Sequence, residues 1–154
     1  MRKIAFLFIC AIGLIACTQK SEFEGNQPIN HSGWGANEPV HFEFETHDTV
    51  KLHNFYIDVR NSEDYPFSNI FFFVEMEFPN GKKSIDTVEC QLADDQGRWL
   101  GTASASLHDH EFLYQRGKQF PLGGRYKVDI RQGMRQSPLQ GITDIGFKLT
   151  HTEP

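Results

Sequence analysis

A chain of 154 residues is long enough for one domain with a buried core and too short for two. Its 20 acidic residues outnumber 15 basic ones, giving a net charge of −5 with no basic cluster. That balance excludes nucleic acid, and adhesion to anionic lipid by charge alone.

The N-terminus departs from the rest. Arg2 and Lys3 supply a positive start, and Ile4 to Ala16 form an apolar run broken only by Gly13. The run is too short to span a bilayer as a helix and reads as a secretory signal. It closes on Leu14-Ile15-Ala16-Cys17, a lipobox, the motif cut before its cysteine once lipid is attached to the thiol. Residues 1–16 are thus a lipoprotein signal peptide, and Cys17 becomes the acylated first residue. More than one acyl chain, palmitate included, holds a protein stably at a membrane. Thr18, where aspartate would retain the protein in the inner membrane, favours the outer membrane. Ser21, Glu22 and Glu24 could serve as an acidic surface-export signal, so both leaflets stay open. Without the signal, 13 basic residues face 20 acidic ones, a balance of −7.

Residues 17–39 read as a lipidated flexible tether, rich in Gly, Asn, Ser and Pro and too poor in apolar residues to fold alone. A coil of that length averages about 25 Å end to end, enough to hold a domain clear of the headgroups. Trp34 interrupts the polarity, either packing back on the domain or anchoring a partner.

From Val40 the pattern has period two, which describes strands with one face on a core and one in water. Phe42 and Phe44 alternate with Glu43 and Glu45; Phe55, Ile57 and Val59 alternate with Tyr56, Asp58 and Arg60. Ile70 to Phe78, Val88 to Leu92, Tyr126 to Arg131 and Ile145 to Leu149 continue the series. Two further strands are placed at Trp99 to Leu107 and Phe112 to Phe120. Pro79-Asn80-Gly81 signals a hairpin, and Asp94 to Gly97 a slightly longer turn. About eight strands without a helical period predict an all-β, antiparallel two-sheet β-sandwich over residues 40–154, with a closed barrel as the alternative. Phe71 and Phe73 make their strand apolar on both faces. Such a strand is central and covered on its second side, or shows an aromatic patch to a partner.

No catalytic constellation emerges. His108-Asp109-His110 could offer two metal ligands, but the segment reads as a polar loop, and His41, His47, His53 and His151 lack ligand spacing. The pairs Glu43/Glu45 and Glu75/Glu77 read as solvated strand faces, not as a glycosidase pair. A Gly-x-Ser-x-Gly elbow and a phosphate-cradling glycine loop are absent. Cys10 leaves with the signal and Cys17 carries lipid, so Cys90 stands alone as a small buried hydrophobe. Disulfides and cysteine-pair zinc sites are thereby excluded, and no enzyme activity or cofactor is expected. The stretch Gln132 to Gly146 interrupts the alternation as a loop, in which Arg135 and Asp144 could pair, or as a binding edge.

Four segments carry a resemblance: Tyr65 to Ile70, Asp86 to Asp94, Gly97 to Gly101, and Gln132 to Arg135 with Leu139 to Gly146. In order and spacing they resemble the gliding-motility lipoprotein GldH family of Bacteroidota, over roughly Trp34 to Leu149. The resemblance implies a lipoprotein needed by the gliding machinery, whose components are linked to type IX secretion, and implies no catalytic activity or cofactor. The expectation is a lipid-tethered interaction module in the cell envelope whose partners are membrane lipid, through Cys17, and other gliding or type IX secretion envelope proteins. Its candidate contacts are Trp34, Phe71, Phe73, Arg98, Trp99, Met134 and Arg135. The alternative is a surface glycan-binding or glycan-processing lipoprotein, with Tyr65, Trp99 and Asp109 as the residues involved.

Overall fold

The computed structural model describes residues 21–152, so the signal and Cys17 lie outside the described residues. Nine strands follow in chain order: β1 (Ser21–Pro28), β2 (Val40–Thr46), β3 (His53–Ser62), β4 (Asn69–Glu77), β5 (Lys83–Gln91), β6 (Thr102–Ser104), β7 (Leu107–Lys118), β8 (Gly124–Gln132) and β9 (Ile142–His151). They form two antiparallel sheets, a five-stranded one ordered β1-β9-β3-β7-β6 and a four-stranded one ordered β2-β8-β4-β5. The expected β-sandwich is the fold.

Period two explains the core. Phe42 and Phe44 from β2, Phe55 and Ile57 from β3, Phe72 and Val74 from β4, and Tyr126 from β8 all turn inward and are buried. Phe147 of β9 lies 5.9 Å from Phe42 and 6.2 Å from Phe44, ring to ring, which joins the two sheets. Cys90 is buried among them, and burial pushes its thiol up to about 12, where it stays protonated. The turn at Asp94 closes as expected, with the Gly97 amide donating to the Asp94 carbonyl.

Three expectations need correction. Residues Ser21–Pro28, read as tether, form a sheet-edge strand hydrogen-bonded along β9 from Thr150 to Asp144. Only one large apolar side chain, Phe23, turns inward there, packing on Phe44 at 5.4 Å; the strand rests on backbone pairing, which composition does not reveal. Gly25 opposite Phe147 leaves room for it: a Cβ there would come within 3.1 Å of both Phe23 and Phe42. Trp34 is likewise core, 2% exposed, in a backbone bridge with Leu139.

The second correction concerns His108-Asp109-His110, which lies within β7 rather than in a loop. Both histidines face inward, and His110 Nε2 meets Asn61 Oδ1 at 2.9 Å. Third, the strand placed at Trp99 to Leu107 shrinks to Thr102–Ser104, with Trp99 in an isolated bridge to Ala93.

Register fixes the two ends of the sandwich. Ser21 opposes Thr150, His53 opposes both Lys118 and His151, and Thr46 opposes Gly124. The start of β1 therefore shares one end, the base, with the 47–52 and 119–123 loops and the β4–β5 hairpin. The opposite end carries the 29–39 segment, which pairs with the 133–143 stretch: the Trp34 amide donates to Leu139 and that of Ile29 to Thr143, each at 2.8 Å.

Candidate functional site

β4 is an interior strand of the four-stranded sheet, and Asn69, Phe71, Phe73, Glu75 and Glu77 share its outer face. That face divides in two. Toward the base, Glu75 meets Lys83 at 2.7 Å and Arg131 at 3.7 Å, and Glu77 meets Lys127 at 3.6 Å. The hydrogen bond from Lys83 holds the Glu75 carboxyl below its ordinary value. Toward the far end the face is apolar, because Phe71 is only half-buried and Phe73 is 40% exposed.

The loop after β8 completes this apolar half. Pairing between β4 and β8 stops at Phe72 and Gln132. Beyond it the Gly133 amide donates to the Phe71 carbonyl at 2.6 Å. A Cβ on Gly133 would sit 3.2 Å from Phe71 Cβ and 3.3 Å from a Phe73 ring carbon, so the loop crosses at a position that suits glycine. Buried Gln132 then orients the next residues. Its Oε1 accepts from the Met134 amide at 2.7 Å, and its Nε2 donates to the carbonyls of Gln136 at 3.0 Å and Trp34 at 3.4 Å. Met134 returns its sulfur to the Phe71 amide.

The outcome is a recess of about 330 Å³ lined by Phe67, Phe71, Gly133, Met134 and Arg135. A second of similar size adjoins it, bounded by Phe73, Arg131 and the Ala36-Asn37 segment, and shares Gly133 and Met134. None of the residues around the first recess can act as nucleophile or general base, so its chemistry is apolar contact with an arginine at the rim.

Four of the sequence-derived contacts, Phe71, Phe73, Met134 and Arg135, thus meet on one surface. The other three do not join it. Trp34 is interior, its indole N–H donating to the Glu38 carbonyl at 2.7 Å. Arg98 extends from the Asp94 turn and bonds Asp94 at 2.7 Å. Trp99 is half-buried, stacked on His108 at 5.4 Å and 6.4 Å from Tyr65, itself 5.7 Å from Phe67. The possible pair of Arg135 with Asp144 does not form; Asp144 lies 3.7 Å from Arg60 instead. Gln132 and Phe67 fall within stretches that the sequence marks out but are not among its candidate contacts; for Gln132 the signal is the polar break in the β8 alternation.

The glycan-oriented residues are separated by their packing. Tyr65 is buried, its hydroxyl donating to the Asn69 carbonyl, and Asp109 is held by Arg60 at 2.5 Å on the outer face of the other sheet. A groove of about 360 Å³ runs there past Glu24, Asp58, Arg60, Glu111 and Lys148. Lys148 bonds Glu111 and lies over the Tyr56 ring at 4.8 Å. Among the described residues no group of three or more His, Cys, Asp or Glu side chains could hold a metal ion.

Fold and surface together define a class: an all-β sandwich that carries an apolar recess on the outer face of its four-stranded sheet. The sequence relationships then settle the family. Residues 21–149 match the family model described as GldH lipoprotein, and the chain belongs to that family. It is 33% identical to the gliding motility lipoprotein GldH homolog of Christiangramia forsetii, covering 96% of this chain and 95% of that one. It is also 31% identical to gliding motility lipoprotein GldH of Flavobacterium johnsoniae, covering 97% of this chain and 96% of that one. Membership makes it a gliding-motility lipoprotein, lipid-anchored in the cell envelope. A solved family GH115 4-O-methyl-α-glucuronidase superposes with a TM-score of 0.41 at 13% identity, over 99% of this chain and 20% of that one, a likeness too slight to carry any argument.

Proposed function

We propose that this protein is a non-catalytic docking module of the gliding apparatus, held to the outer membrane through acylated Cys17 and binding another envelope protein through the patch of Phe71, Phe73, Met134 and Arg135. The observation that carries the proposal is the convergence of these four side chains, from one strand and one distant loop, on two adjoining recesses, an apolar one at Phe71, Met134 and Arg135 and a more polar one at Phe73 beside Arg131 and Asn37. Contiguous exposed apolar surface on a soluble domain marks an interaction site, and an arginine at its rim adds a directional contact. The outer-membrane assignment rests on Thr18 after the lipobox cysteine.

A photo-crosslinking amino acid placed at Phe73 in living cells tests it. The matched control is Leu113, which is 39% exposed on the outer face of the other sheet against 40% for Phe73. The expected result is one specific envelope protein joined from position 73 and none from 113. Equal or absent crosslinking from both positions, in cells that glide normally, would remove the patch from the function.

A further inference from the structure

Only Thr18, Gln19 and Lys20 separate Cys17 from Ser21, where β1 begins. Four residue steps reach at most about 14 Å. The base of the sandwich is therefore confined to the membrane surface, given the anchor at Cys17 on which this inference rests.

That base is unusually apolar for a set of exposed loops. Val50 is 77% exposed, Leu52 45% and Leu122 37%, and all three stand there, on two loops that touch. Gln119 donates to the Val50 carbonyl at 2.8 Å, and a Cβ on Gly123 would lie 3.5 Å from His47 Cα. The presentation is built, not incidental: Asp48 Oδ1 accepts from the amides of Val50 at 3.0 Å and Lys51 at 2.9 Å, closing a turn with Val50 at its tip. Thr152 binds the Leu52 carbonyl through both its amide and its hydroxyl, each at 2.8 Å. Scattered apolar residues need no explanation, but three on one end, beside the lipid attachment point, do. Lys82 and Lys118 stand on the same end, where long basic side chains can reach headgroup phosphates while their stems lie on apolar surface, and Lys51 beside them is paired with Asp48 at 3.1 Å.

We infer that the end of the sandwich bearing Val50, Leu52 and Leu122 is a membrane-contact edge, seated in the headgroup region of the phospholipid leaflet that holds the acyl chains of Cys17. The anchor then fixes the orientation of the domain as well as its location. Phe71 lies near the opposite end of β4, about 20 Å further out by strand rise, so the docking patch faces away from the lipid.

The test uses the full acylated lipoprotein in vesicles of phosphatidylethanolamine and phosphatidylglycerol, with nitroxide labels at Val50→Cys, Leu122→Cys and, as the distal control, Leu100→Cys. Acylated Cys17 and buried Cys90 do not compete for the label. The expected result is severalfold lower collision with a water-soluble nickel reagent, and higher collision with oxygen, at positions 50 and 122 than at 100. Inserting a long Gly-Ser segment between Lys20 and Ser21 should erase the difference. A chain that floats with the vesicles while its Val50 label stays as open to nickel as the Leu100 label overturns the contact edge and leaves the anchor standing. A chain that fails to float overturns the anchor at Cys17, and the edge with it.

Discussion

Met134 Sδ lies 3.4 Å from the Phe71 amide nitrogen and accepts its hydrogen bond where β4 loses β8 as a neighbour. The pair joins a loop of no regular structure to an interior strand, and gives the recess a wall and a floor at once. Met134→Leu keeps the volume and removes the acceptor, which should cost about 1 kcal/mol. Amide hydrogen exchange reads it directly: the Phe71 amide should exchange faster while Val74, deeper in the same strand, does not change. Unaltered protection at Phe71 would show that the sulfur contact is incidental.

Phe73 separates binding from folding. It is 40% exposed, so Phe73→Ser should lower stability by no more than about 1 kcal/mol. Gliding and recovery of the crosslinked partner should fall sharply in the same cells. A variant that melts like the parent and still glides would place the interaction elsewhere.

Gln132 should behave in the opposite way. Its amide serves two carbonyls and one backbone N–H and is 1% exposed, so Gln132→Leu strands buried polar groups. The expected loss is about 2 to 3 kcal/mol, read from urea unfolding at constant slope. The Met134 methyl resonance should also broaden or shift as its loop loosens. A neutral substitution would mean that water replaces the amide without loss.

The core was legible where side chains alternate strongly. Phe42/Phe44, Phe55/Ile57/Val59 and Tyr126/Val128/Ile130 announce strands because each inward position carries a large apolar group. β1 was illegible for the converse reason, since Phe23 is its one large inward side chain and its hydrogen bonds to β9 leave no trace in composition. His108 and His110 misled because polar residues suggest a loop, whereas stacking on Trp99 and a bond to Asn61 accommodate them inside a sheet. Four of the seven candidate contacts converge because Phe71 and Phe73 share one strand parity and Met134 and Arg135 lie just past its neighbour's end. Trp34 was ambiguous because a lone tryptophan in a polar stretch looks the same whether it packs inward or outward.

Asp58 gives the protein a pH dependence of unusual sign. It sits on the outer face of β3 against Gly146, and burial pushes its carboxyl up to about 6 from 3.8, with Lys148 opposing the shift. The folded chain therefore keeps a proton that the unfolded chain has released. This group's contribution to stability is present below about pH 4 and lost as pH rises through about 6. The full shift would correspond to about 3 kcal/mol, and the carboxyl's partial exposure reduces that to about 1 kcal/mol. Asp58→Asn should accordingly stabilise the protein by about 1 kcal/mol at neutral pH, with the gain vanishing toward pH 4. Urea unfolding across that range checks it; a gain that persists at the acid end would trace to packing instead of titration.

The N-terminal boundary of the folding unit yields the sharpest test. A chain shortened to begin at Val40, as composition alone would cut it, loses β1, Ile29 and Trp34 together. Removing a buried tryptophan by itself costs about 3 to 5 kcal/mol, and whole domains are stable by only about 5 to 15 kcal/mol. The loss of β1 also uncovers the edge of β9 over its length, an open ladder that invites pairing between chains. A chain beginning at Ser21 should unfold cooperatively, one beginning at Ile29 should fold with a lower midpoint and self-associate, and one beginning at Val40 should show no cooperative transition. Thermal unfolding with size-exclusion chromatography distinguishes the three. Equal midpoints for the Ser21 and Val40 chains would return residues 21–39 to the role of a spacer and lift the base of the sandwich away from the membrane.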